Sequence, residues 1–260
     1  MVKIGIIGGS GVYDPELFED TKTVKVHTPY GRPSAMPVTG KYKGIDMVFL
    51  PRHGEGHCIN PSEVNFRANV WAMKELGVTH ILATSAVGSL KEEYRPGELV
   101  LVDQFIDRTT KRQSSFFMGQ KVCHISMADP GCNYLRELLA STAKKLKLDV
   151  HEKGTCVVIE GPRFSTRAES NVFRSWNADI IGMTMVPEVV LAREAEICYQ
   201  TIAMVTDYDC WKTDNVVTLD EVLEMMKKNV EKVKKLVSAT IPLIGDKDCS
   251  CRTALNCALI

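Results

Sequence analysis

The segment KIGIIGGSGVYD, residues 3 to 14, passes from an unbroken apolar run into Gly8, Gly9, Ser10 and Gly11. The first half lacks polar alternation, as suits a strand covered on both faces. The second half sets bare backbone N–H groups and one hydroxyl at the carboxyl end of that strand, a turn suited to a small oxyanion. It is not a dinucleotide fingerprint, because Asp14 stands where the third glycine belongs and Pro15 follows. No Gly-Lys-Ser/Thr follows to make a nucleoside-triphosphate loop either.

The same plan recurs along the chain. DMVFLPRHG (46–54), THILATSAVGS (79–89), GELVLVDQFID (97–107), GTCVVIEGP (154–162), ADIIGMT (178–184) and CYQTIAMVTDYD (198–209) are apolar, mostly β-branched runs, and TVKVHT (23–28) is a further expected strand. Helical periodicity lies between them in PSEVNFRANVWAMKELG (61–77), NYLRELLASTAKKLKL (133–148), TRAESNVFRSWN (166–177) and VPEVVLAREAEI (186–197). It returns in the long segment 218–244, where Thr218 and Glu221 have the spacing of a capping box. Strands alternating with helices predict an α/β domain over 1–245: a central mixed, mostly parallel β-sheet flanked by helices. A cysteine-rich tail, 246–260, follows. The mixed character is expected from 23–51, which has turn signals and no helical period.

The 32 basic residues balance 32 acidic ones among 260, so charge gives no reason to expect a nucleic acid or membrane partner. No apolar run reaches the roughly 20 residues of a membrane helix, and a cytoplasmic protein is expected. Six of the nine cysteines stand singly and three cluster in CSCRTALNC (249–257). Structural zinc sites typically use two spaced pairs, which are missing here, so no metal is expected. Unreactive thiols and disulfides are both left open.

Ligands of such sheets gather at the carboxyl ends of strands. Arg52 and His53 follow one strand, Thr84, Ser85 and Ala86 lie at the end of another, and Thr184 follows a third. Together with Ser10 they offer a guanidinium and hydroxyls to an anion, although each alone has a structural reading as an ion pair, a core histidine or a cap. Asp207 and Asp209 end an apolar strand, where alternation would put both carboxylates on one side. Two such acids suit a metal, an acid/base pair or a donor-rich heterocycle, and metal is the weakest of these with no histidine or cysteine cluster beside them. A carboxyl kept protonated would bond a purine N7 and select adenine. Phe164 offers a flat surface beside Ser165.

GIIGGSG, PRHG, TSAVGSL, DQFIDRT, EGPRFSTRAES, GMTMVPE and TDYDCW resemble, in order and spacing, the purine nucleoside phosphorylase superfamily, and within it the 5'-methylthioadenosine phosphorylase branch. The resemblance implies phosphorolysis of 5'-methylthioadenosine to adenine and 5-methylthioribose 1-phosphate, with inorganic phosphate as co-substrate and no cofactor. A phosphorylase of broad purine nucleoside specificity is the nearest alternative. The resemblance assigns phosphate contacts to Ser10, Arg52, His53, Ser85, Ala86 and Thr184, and a ribose contact to the Met183 backbone. It assigns the base to Phe164, Ser165, Asp207 and Asp209, the methylthio wall to Leu219 and Val222, and to His124 a place in a neighbouring subunit's site. It implies a homotrimer or a dimer of trimers. Gly182 departs from the asparagine of animal members. The tail resembles the cysteine-rich endings of heat-adapted archaeal members, which implies disulfides there and a bridge between Cys132 and Cys198.

Overall fold

Strand β1 (Lys3–Gly8) lies parallel between β4 (Ile45–Pro51) and β5 (His80–Ser89) at the heart of an eleven-stranded mixed sheet. The computed structural model describes residues 2–9, 18–119, 121–212 and 218–260, together with the backbone but not the side chain of Leu219. The missing polar alternation has a direct cause. Ile7, Val48 and Leu50 enter one hydrophobic core while Ile4, Ile6, Met47 and Phe49 enter a second, so successive residues of both strands are buried on opposite faces. Helices α1 (Phe66–Glu75) and α4 (Met185–Glu194) close the first core, and α2 (Asn133–Leu146) and α5 (Leu219–Thr240) close the second. Helix α3 (Arg167–Ser175) sets Phe173 on a smaller cluster with Leu90, Val157 and Ile181.

β5 is the organising strand. Along one edge it pairs in parallel with β11 (Cys198–Asp207). Its other edge takes β1 over His80–Ala83 and then β10 (Ile180–Gly182), antiparallel, at Gly88 and Ser89. The carboxyl ends of β1, β4, β5 and β11 therefore converge on one side, where β10 also arrives. As the sequence indicates, Thr218 and Glu221 close a capping box on α5.

Two strand boundaries differ from expectation. The strand near TVKVHT is β2 (Glu19–Thr23), a fully exposed edge pairing with β3 (Val38–Tyr42), and residues 24–28 are not strand. Its EDTKT sequence has no apolar face for periodicity to reveal. GELVLVDQFID is two strands, β6 (Leu99–Leu101) and β7 (Gln104–Arg108), because the chain changes partner between them. Val102 N–H donates to Thr201 O, and Asp103 N–H donates to Gly154 O. Thereafter β7 runs parallel to β9 (Thr155–Ile159), while β6 is antiparallel to β11 and parallel to β8 (Val150–His151). Among the described residues no helix is long and apolar enough to cross a membrane.

Arg112 braces the loop that follows β10. Its Nη1 donates to Met183 O and to Val186 O, each at 2.6 Å, while Nε and Nη2 bond the Glu160 side chain (3.0 Å) and carbonyl (2.7 Å). Burial alone would raise the Glu160 carboxyl. Amide bonds from Thr110 and Lys111 and the Arg112 guanidinium outweigh it and hold the pKa at about 2. Arg112→Met leaves those carbonyls and the carboxylate unpaired, so it is expected to cost about 3 kcal/mol and lower the Tm by roughly 10 °C in scanning calorimetry. An unchanged midpoint would show that the brace is dispensable.

Candidate active site

A cavity of about 310 Å³ opens where the strand ends converge, and its lining mixes two chemistries. Gly9, Arg52, His53, Thr84, Ser85, Ala86 and Thr184 line one part. Phe164, Ser165, Met183, Asp207 and Asp209 also line it, and Val222, Leu223 and Met226 of α5 complete an apolar wall. Ser10 lies outside the described residues, as does the side chain of Leu219, though α5 begins there. His124 is not among the residues lining its own chain's cavity. Its N–H donates to Ala258 O of the tail.

Arg52 is 2% exposed, and most of its donor fork is turned away from a ligand. Nε and Nη2 make a bidentate pair with Glu188 at 2.7 and 2.8 Å, Nη1 donates to Thr84 O at 2.7 Å, and Nη2 reaches Ile7 O at 3.4 Å. Of the five N–H groups of a guanidinium, one on Nη1 has no partner among the described residues. Burial alone would lower the Arg52 pKa, and the Glu188 charge outweighs it, so the cation is secure. Glu188 is itself completely buried, and its Oε1 accepts from Tyr199 Oη at 2.9 Å, behind which Thr201 Oγ1 donates to Tyr199 Oη at 3.2 Å.

His53 is held by its Nδ1, 2.8 Å from Ile59 O. A carbonyl only accepts, so Nδ1 carries the proton and Nε2 is left as an acceptor. The ring stacks on His57 with centroids 4.3 Å apart. Burial first, and then the Arg52 charge, lower its pKa to about 4, so the imidazole is neutral at pH 7. Ser85 Oγ and Thr184 Oγ1 lie 2.9 Å apart across the cavity floor. Thr184 N-caps α4 without a side-chain cap bond, which frees its hydroxyl for this contact. Thr84 Oγ1, Ser165 Oγ and Asp209 Oδ2 are buried with no hydrogen-bond partner among the described residues, a debt that a bound ligand can meet.

Asp207 and Asp209 come together by a different route from simple alternation. The β11 register shifts between Val205 and Asp207, and Asp209 sits in a short helical turn at φ 51°. Its N–H donates to Asp207 Oδ1 at 2.8 Å, while Thr206 Oγ1 donates to Asp207 Oδ2 at 2.7 Å. Burial is the main cause raising the pKa of both carboxyls. Gly88 makes the approach possible, since a Cβ there would lie 3.0 Å from Asp207 Oδ1 and 3.3 Å from Asp209 Cβ. Glu188, Gly88, Thr206 and His57 were not singled out from the sequence. For Glu188 the available signal was a lone acid within MTMVPEVVLA.

With this geometry in view, the comparisons agree. Residues 3–242 match the Phosphorylase superfamily. The S-methyl-5'-thioadenosine phosphorylase of Pyrococcus furiosus is 57% identical over 257 residues, covering 98% of each chain. A methylthioadenosine phosphorylase from Schistosoma mansoni, solved in complex with adenine, superposes with a TM-score of 0.91 at 45% identity, covering 95% of this chain and 93% of that one. One from an antarctic soil metagenomic library gives 0.95 at 44% identity, over 100% and 92%. The chain belongs to the phosphorylase superfamily and, within it, to the family of the S-methyl-5'-thioadenosine phosphorylases.

The state of His53 is directly measurable. A ¹⁵N NMR titration is expected to show the Nδ1–H tautomer at pH 7 and a protonation midpoint near 4. A midpoint at the ordinary value of about 6.5 would contradict its burial beside Arg52.

Proposed function

We propose that this protein catalyses phosphorolysis of 5'-methylthioadenosine, giving adenine and 5-methylthio-α-D-ribose 1-phosphate. The observation that carries the reading is one cavity with a cationic, hydroxyl-rich end at Arg52, Ser85 and Thr184 and an acidic end at Asp207 and Asp209. The names of its relatives point the same way.

Cleavage of the N-glycosidic bond develops positive charge on the ribose and negative charge on the purine. Phosphate, held by Arg52 Nη1, the hydroxyls of Ser10, Ser85 and Thr184, and the backbone at Ala86, offsets the first charge and then bonds to C1'. Neutral His53 accepts a hydrogen bond at Nε2 from a phosphate hydroxyl and thereby orients the anion. Asp207, biased by burial toward its protonated form, shares its proton with purine N7 so that adenine leaves neutral. Asp209 and Ser165, each with a buried oxygen unpartnered among the described residues, bond the rest of the base edge, and Phe164 lies against its face. The Met183 backbone meets the ribose.

Leu219 and Val222 take the methylthio group. Burying it in place of a hydroxyl favours this substrate by about 1 to 3 kcal/mol. The apolar wall and Asp207 weigh against the broad purine nucleoside phosphorylase reading. His124, which does not line its own chain's cavity, fits the role of a residue lent to a neighbour in a homotrimer or a dimer of trimers. The reaction uses phosphate and no cofactor.

Adenine release from methylthioadenosine, followed spectrophotometrically, is expected to require phosphate and to exceed base release from inosine. Asp207→Asn should lose at least about a hundredfold in rate on methylthioadenosine and far less on inosine. Phosphate-independent release would sink the reading, and equal losses on both nucleosides would remove Asp207 from the proton transfer.

A further inference from the structure

We propose that His57 is a further phosphate-binding residue, whose imidazole gives the anion an N–H donor that neighbouring His53 cannot supply. This role rests on the phosphorolysis reading of the cavity. His57 lines the anion end with Gly9, Arg52 and His53, and its side chain is exposed. Its one contact among the described residues is the ring stack on His53, which leaves both ring nitrogens free of them.

Orthophosphate near neutral pH presents oxygens on every side and few protons, so its site needs many donors and few acceptors. Much of the donor capacity at this end is already engaged. Arg52 keeps one N–H without a partner among the described residues. Ser85 Oγ lies 2.9 Å from Thr184 Oγ1 and 3.2 Å from Ala86 O, so at least one of the two hydroxyl protons is used within the protein. His53 donates from Nδ1 to Ile59 O and offers only an acceptor at Nε2. An imidazole carries at least one N–H in either charge state, so the donor at His57 does not depend on its titration.

The backbone fixes where this ring stands. Gly54, Gly56 and His57 have φ of 74°, 71° and 58°, which folds the segment into a turn closed by His57 N–H to Gly54 O at 3.3 Å. Ile59 N–H donates to His53 O at 2.9 Å, and with the Nδ1 bond this clamps the base of the turn. Glycine takes such dihedrals freely, whereas histidine holds them at some cost in strain. His57 is exposed, so burial of its ring does not offset that cost, and a strained residue lining a cavity points to a role there.

The two rings stack with centroids 4.3 Å apart and 28° between their planes. In a near-parallel stack the ring edges run side by side, so an oxyanion at the Nε2 edge of His53 also meets an edge of His57. A half-turn about the last side-chain bond exchanges the edges of His57 without breaking the stack. Hydrogenphosphate thus faces an acceptor and a donor together, its hydroxyl toward His53 and a bare oxygen toward His57.

Three variants of the full chain separate the donor from the ring. His57→Phe keeps an aromatic ring on His53 and removes the N–H, His57→Gln removes the ring and keeps a donor, and His57→Ala removes both. Phosphate affinity is read as the KM for phosphate with methylthioadenosine saturating, and as the Kd for inorganic phosphate by calorimetry without nucleoside. In His57→Phe and His57→Ala both constants are expected to rise about tenfold, with the nucleoside KM within about twofold, while His57→Gln stays within about threefold of the wild type. A folded His57→Phe protein that binds phosphate as the wild type does overturns the donor role and leaves only stacking. Should His57→Phe fail to fold, equal phosphate constants in His57→Gln and His57→Ala overturn it instead. A wild-type protein that releases adenine without phosphate contradicts the phosphorolysis reading alone, and the calorimetric comparison then still decides whether His57 binds the anion.

Discussion

The buried pair between Arg52 and Glu188 is the constraint on which the cavity depends. Two charges with almost no water around them are costly to bury, and the pair is not a source of net stability compared with an apolar replacement of the same shape. Its value is positional. Glu188 comes from α4, Arg52 from the end of β4, and the guanidinium also bonds carbonyls on β1 and β5, while Tyr199 and Thr201 of β11 stand behind the carboxylate. One ion pair thus ties four strands and a helix into a fixed relation. Among the described residues it leaves a single N–H direction for a ligand, which makes the anion end a rigid donor array instead of a flexible charge.

The acidic end is built on the opposite electrostatic principle. Among the described residues no basic side chain is a hydrogen-bond partner of Asp207. A threonine hydroxyl and a main-chain N–H bond it, and burial raises its pKa, so the site favours a carboxyl able to give up a proton over a fixed anion. The same cavity therefore holds a cation stabilised by pairing and an acid biased toward neutrality by desolvation. In the proposed reaction these serve the incoming phosphate and the departing purine respectively. Gly88 and Gly161 supply the clearance, the first beside Asp207 and the second, at φ 66°, against the Met183 side chain.

The fold was largely legible because strands buried on both faces leave continuous apolar runs and each helix leaves its own period. The exposed β2 left no such trace, and the break between β6 and β7 arises from a change of partner that local sequence does not encode. Cavity residues were legible where polar groups interrupt or follow apolar strands: Arg52, Thr184 and Asp207 stand at or just after strand ends, whereas Ser85, expected at the end of its strand, lies in the middle of β5. Alternation explained the closeness of Asp207 and Asp209 for the wrong reason, since a register shift and a left-handed residue bring them together. Glu188 and the grouping of Cys132, Cys198, Cys249 and Cys251, whose Sγ atoms all lie within 4.8 Å of one another and are unbridged in this structure, escaped because both are assembled by tertiary packing between segments far apart in the chain.

The dependence of the anion end on this pair is best measured through phosphate kinetics in Glu188→Gln, which keeps the shape of the side chain and removes its charge. With methylthioadenosine saturating, the KM for phosphate is expected to rise at least about tenfold while the KM for the nucleoside stays within about twofold, as follows from releasing Arg52 from its fixed pose. A folded Glu188→Gln protein with an unaltered phosphate KM would contradict the account.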